Sequence, residues 1–123
     1  DTINLRAQAQ TQQVEIFEFV RRSRGNVPPV IDAADLLVAP EPMLRALCAA
    51  LGIPFSDHML SWPPGRRATD GVWAKHWYER VERSTGFEPA EAAGMPRLQG
   101  RLAELEAQCR PLYERLRAHR LLA

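Results

Sequence analysis

The segment Val27-Pro28-Pro29-Val30-Ile31-Asp32-Ala33 is the only stretch of the chain that reads as a β-strand, and it decides the fold class. Its paired prolines donate no ladder hydrogen bond, so regular strand geometry is expected from Val30 onward. A lone strand does not stand by itself, because even an isolated pair of strands is marginal in water. The remaining sequence offers it no evident neighbour. This points to a chain that is part of something larger, with Val30 and Ile31 unpaired, or paired with another copy, within these 123 residues.

On either side of the strand the patterns are helical. Residues 1–13 are polar and Gln-rich and read as a frayed helix or a cut edge. From Gln13 to Arg24, Val14, Ile16, Phe17, Phe19 and Val20 cluster at helical spacing, and Gly25 supplies the stop. Arg21, Arg22 and Arg24 complement the helix dipole, so they read as a solvated C-terminus rather than a basic patch. After the strand, Asp35-Leu36-Leu37 with Pro40 and Pro42 read as a turn into a helix from Pro42 to Leu51. There Leu44, Leu47, Cys48 and Leu51 fall at i, i+3, i+4, i+7, before Gly52 and Pro54. Residues 53–65 read as a loop closed by Trp62-Pro63-Pro64-Gly65, with His58 as a surface or capping residue. Residues 71–83 suggest a short helix or two turns, and residues 84–87 and 89–96 another loop. Leu98, Leu102, Leu105, Cys109, Leu112 and Leu116 then predict a helix to His119, which Pro111 is expected to kink or interrupt near Gln108. Over so short a stretch this seam reads as core packing in preference to a coiled coil. The expected fold class is therefore mainly α with one or few short strands.

Composition bounds the rest. A chain of 123 residues, 46% hydrophobic and 25% charged, suffices for one domain or a domain fragment, with one core. A net charge of +1 argues against a general nucleic-acid binder. No apolar run approaches the ~18 residues of a membrane span, and the N-terminus lacks the order of a secretory signal, so a cytosolic protein without membrane association is expected. Cys48 and Cys109 lie in apolar helical patterns and read as buried free thiols, with neither a disulfide framework nor a metal site. Apart from Lys75 every basic residue is arginine. That bias is read first as genomic composition, although an Arg fork also suits phosphate and carboxylate.

Chemistry concentrates in Pro64-Gly65-Arg66-Arg67-Ala68-Thr69-Asp70-Gly71-Val72-Trp73-Ala74-Lys75-His76-Trp77. Two arginines follow a Pro-Gly turn. Gly71 allows close backbone approach, and helix amides beyond it would add donors, which together describe a phosphate or sulfate cradle. A solvated loop with two arginines is the alternative. Trp73 and Trp77 share a helix face at i, i+4, where core or loop anchoring is the default and stacking of one of them on a base is the alternative. His76 has no visible nucleophile or carboxylate partner, which favours a structural role.

Two of these stretches, in order, carry a resemblance. Asp35-Leu36-Leu37, Pro40-Glu41-Pro42-Met43-Leu44-Arg45-Ala46-Leu47-Cys48 and Leu51-Gly52-Ile53-Pro54-Phe55 resemble the late strand, turn and helix of P-loop sulfotransferases, where E-D-L runs into D-P-x-x-x-L, a helix and L-G-x-P. Arg66 to Trp77 is similar to that family's R-K-G-x-x-G-D-W-K-N-H-F. The likeness covers residues 27–87, and the terminal helix over residues 97–121 is compatible with it. It implies the C-terminal part of an α/β P-loop fold. It also implies that Arg66 and Arg67 hold the 3′-phosphate of the sulfuryl donor 3′-phosphoadenosine 5′-phosphosulfate (PAPS), with Gly71 needed for the close turn and Trp73 and Lys75 beside it. PAPS, or its desulfated form PAP, is the implied cofactor, and no metal is implied. The chain departs from the motif at Ala68 in place of Gly, Val72 in place of Asp, and a lysine displaced by one position to Lys75.

No strand, Gly-rich loop and helix able to grip a 5′-phosphosulfate is visible between Asp1 and Val27, and no catalytic base is apparent. The expected function is thus the C-terminal portion of a sulfotransferase-like protein, contributing a 3′-phosphate site and inactive alone. Its expected partners are the nucleotide donor and either a missing N-terminal portion or a second copy. A non-catalytic helical interaction module is the alternative.

Overall fold

In a computed structural model the chain is described over residues 9–89 and 97–123. The expectations for residues 1–8 and 90–96 lie outside the described residues. The elements are α1 (Gln10–Arg24), α2 (Ala33–Val38), α3 (Pro40–Leu51), a 3-10 turn (Asp57–Met59), α4 (Ala74–Trp77), α5 (Glu79–Arg83) and α6 (Gly100–Arg117). Among the described residues, extended pairing is confined to two isolated bridges, Val30 with Arg120 and Ser61 with Gly86. The chain is mainly helical, and it divides into two compact units.

The first unit joins α1 and the segment up to Asp32 to α6 and the tail up to Leu122. Val14 and Phe17, one turn apart, are buried, whereas Ile16 and Phe19 stay 63% and 65% exposed. Gly25 ends α1 as expected, in a left-handed conformation with φ 67° and its amide on the Arg21 carbonyl at 3.1 Å. Helix α6 packs on α1. Phe17 lies 5.0 Å from the His119 ring, and Arg115 donates to Glu18 at 2.8 Å. Pro111 does not interrupt α6, which continues through it to Arg117. Residue 111 and Ala107, whose carbonyl loses its amide partner, both face solvent, where water replaces the missing donor.

The strand expectation needs a correction. Val30 is paired within the chain: it bridges Arg120 in parallel, with the Leu121 amide on the Val30 carbonyl at 2.8 Å. The returning tail after α6 supplies the neighbour, a contact between residues ninety positions apart that local pattern does not reveal. One bridge is not a sheet.

The second unit holds α2 to α5. Asp35-Leu36-Leu37 is helical within α2 rather than a turn or strand, and α3 begins at Pro40. A proline in the first turn of α3 has no intrahelical amide to lose there, so the helix starts two residues early. Met43 and Cys48 are the buried residues of α3, while Leu51 turns outward. Gly52, at φ 68°, ends the helix. The Cys48 thiol lies 3.9 Å from the Met59 sulfur, and Arg45 stacks 4.0 Å over Phe55 while pairing with Glu41. Both cysteines are free, but Cys109 is half-buried and not fully enclosed. Among the described residues no helix is long and apolar enough to cross a membrane.

Candidate functional site

The arginine segment is held as a closed loop, and its closure begins at Trp62. The Trp62 amide donates to the Thr85 carbonyl at 3.0 Å, and its indole Nε1–H donates to Ser84 Oγ at 3.0 Å. Its ring meets Phe87 edge-on at 5.5 Å. Gly86 opposite is tightly packed, since a Cβ there would lie 3.1 Å from the Leu60 carbonyl oxygen and the backbone would have to give by a few tenths of an ångström. The Gly65 amide then reaches the Glu82 carbonyl at 2.6 Å, with Gly65 at φ 110°, a conformation closed to other residues. Residues 66–81 are thereby tied at both ends.

Within the loop a tight turn follows. The Arg67 amide donates to the Asp70 carboxylate at 2.8 Å, and the Asp70 amide returns to the Arg67 carbonyl at 3.0 Å. The Arg67 guanidinium leans back on the Pro63 carbonyl at 3.4 Å. Arg66 is exposed, and among the described residues it has no hydrogen-bond or ion-pair partner. Sequence reading missed Asp70 as an organiser, although an Asp preceding Gly is a turn signal.

The other site residues are placed as follows. Gly71 takes no left-handed conformation, and a Cβ on it would meet nothing within 4 Å. Its backbone therefore does not itself demand glycine. The Ala74 amide is spent on the Gly71 carbonyl at 3.0 Å, and α4 is a single turn, so the expected row of free helix amides is absent at that residue. Lys75 and His76 are exposed on α4. The His76 ring lies 6.5 Å from that of Trp73.

The tryptophan expectation is overturned. Trp73 and Trp77 are 67% and 74% exposed, and Ala74, 2% exposed, takes the inward position between them. Trp62 is the indole that anchors. The loop thus presents cations and indoles to solvent, donors suited to an anion and faces suited to a planar group. Among the described residues no cluster of three or more His, Cys, Asp or Glu is arranged to hold a metal.

Comparison with known proteins adds the family. Branched-chain-amino-acid aminotransferase-like protein 2 of Arabidopsis thaliana is 43% identical over 97 residues, which covers 77% of this chain and 17% of that protein. Branched-chain-amino-acid aminotransferase-like protein 1 of the same plant is 52% identical over 63 residues, covering 51% of this chain and 11% of the relative. The chain therefore spans less than a fifth of the length of either curated relative. No solved structure matches it. The sulfotransferase domain family matches residues 12–120, nearly the whole chain and including the arginine loop, and the chain belongs to that family.

Proposed function

We propose that residues 66–75 contribute the 3′-phosphate site for PAPS within a longer sulfotransferase, and that the 123 residues are inactive by themselves. The observation that carries this reading is the exposed Arg66, without a partner among the described residues, beside Arg67 in a loop tied at Gly65 and Glu82 inside the family match. Arg66 donates to phosphate oxygens, while Arg67 exchanges its 3.4 Å contact with Pro63 for the same anion. Lys75 adds charge, and the open space above Gly71 leaves the backbone approachable. Trp73 borders the nucleotide. The donor, when bound, supplies the transferable sulfuryl group. Residues outside this chain, in an N-terminal portion or a second copy, grip the 5′-phosphosulfate and deprotonate the acceptor. Transamination, named for the relatives, is not proposed for this chain, which covers only a small share of each.

The exposed Val72, Trp73 and Trp77 favour a second reading, a non-catalytic interaction module. Calorimetric titration with PAP separates the two. Micromolar binding that disappears in Arg66→Ala plus Arg67→Ala supports the donor site. No binding, together with concentration-dependent dimerisation, supports the interaction module.

A further inference from the structure

The first unit contains a cavity that none of the preceding chemistry uses. Helices α1 and α6 and the segment 28–32 line a solvent-open pocket of about 410 Å³, a volume in the range that receives a small organic molecule. Most of its wall is apolar, with Ile16, Phe17, Val20, Val30 and Leu116 facing it. The polar lining is not scattered. The Tyr113 hydroxyl donates to Asp32 at 2.5 Å, Arg117 Nε lies 3.7 Å from the same carboxylate, and Arg120 donates to the Arg117 carbonyl at 3.3 Å. These four lining residues form one connected patch.

The charge of that patch selects the occupant. Of the described lining residues, Arg117 and Arg120 carry guanidinium groups and Asp32 a carboxylate. Asp32 is nearly covered, at 11% side-chain exposure, and already accepts the Tyr113 hydroxyl. Arg117 keeps 40% side-chain exposure, lies 3.7 Å from Asp32 and also acts on the Tyr113 hydroxyl, and the five N–H donors of its planar fork exceed what these two neighbours take up. An ammonium head would face the like charge of Arg117. A carboxylate, sulfate or sulfonate would meet a bidentate donor at the edge of an apolar chamber. We propose that this cavity binds an amphiphilic anion, its apolar body among Ile16, Phe17, Val20 and Leu116 and its head on Arg117. The site stands on the first unit alone and is independent of the nucleotide reading.

Calorimetric titration of the 123-residue chain with decanoate and with decyltrimethylammonium tests the body and the head separately. The expected result is saturable one-to-one binding of decanoate, at least ten-fold tighter than the ammonium probe. Arg117→Gln removes that preference and Arg117→Lys retains it, which separates charge recognition from loss of the Asp32 contact. Leu116→Trp, filling the chamber, weakens decanoate at least ten-fold while far-ultraviolet dichroism stays unchanged. If Leu116→Trp does not fold, Val20→Phe with the same dichroism control takes its place. No saturable binding, equal binding of both probes, or decanoate affinity indifferent to the chamber-filling variant overturns the proposal.

Discussion

The carboxylate of Asp70 accepts the backbone amide of Arg67 at 2.8 Å, so the one acid in the arginine turn shapes the backbone rather than pairing with a guanidinium. Its negative charge nevertheless opposes any anion bound there. Asp70→Asn keeps an oxygen acceptor and removes that charge, and several-fold tighter PAP binding is the expected calorimetric result. Asp70→Ala loses the acceptor as well, lowering stability by about 1 kcal/mol in urea denaturation.

Gly65 and Gly71 respond differently to a methyl group. Gly65→Ala forces an L-residue to φ 110°, for a cost of at least about 1 kcal/mol. Gly71→Ala meets open space without left-handed strain and leaves the urea midpoint within about 0.5 kcal/mol of the parent. Its expected effect is on PAP affinity, which falls as the added methyl occupies the approach to the backbone. An unchanged affinity would remove Gly71 from the site.

Tyr113 supplies an alkaline dependence. Its phenol is raised above the ordinary value of 10.0, chiefly because its hydroxyl donates to Asp32, with desolvation and the charge of Asp32 acting in the same direction. The folded state thus favours the protonated phenol. Its contribution to stability is fully present below 10 and is lost as pH rises through the higher folded value. Tyr113→Phe is expected to lessen the fall in denaturation midpoint between neutral pH and pH above 10.

The two thiols are distinguishable by reagent. Cys48 is 4% exposed and faces the Met59 sulfur, whereas Cys109 is half-buried on α6. Under native conditions a disulfide reagent is expected to label Cys109 first, with Cys48 following only on unfolding. Met43→Ala, at a 2% exposed position in the same helix, costs about 2–5 kcal/mol and, by destabilising α3, brings Cys48 labelling forward.

What local pattern carries was legible without coordinates. Helix α1 with its Gly25 stop, α3 with its Gly52 stop, and the heptad-like α6 all follow from side-chain period and capping, which act over a few residues. The two ordered motifs pointed to the sulfotransferase family, and the match over residues 12–120 bears that out. Residue types singled out Arg66 and Arg67 as a candidate anion pair with a solvated loop as the alternative, and the titration with PAP decides between them.

Only the tertiary structure decided the rest. Val30 finds Arg120, Tyr113 finds Asp32 and Trp62 finds Ser84 across separations that periodicity does not encode. Burial was decided the same way. Of three tryptophans with similar apolar surface, Trp62 is anchored because the segment 84–87 comes back to meet it, and Trp73 and Trp77 face water because Ala74 already occupies the inward position. Composition determines which side chains favour burial, but the return path of the chain determines which of them are buried.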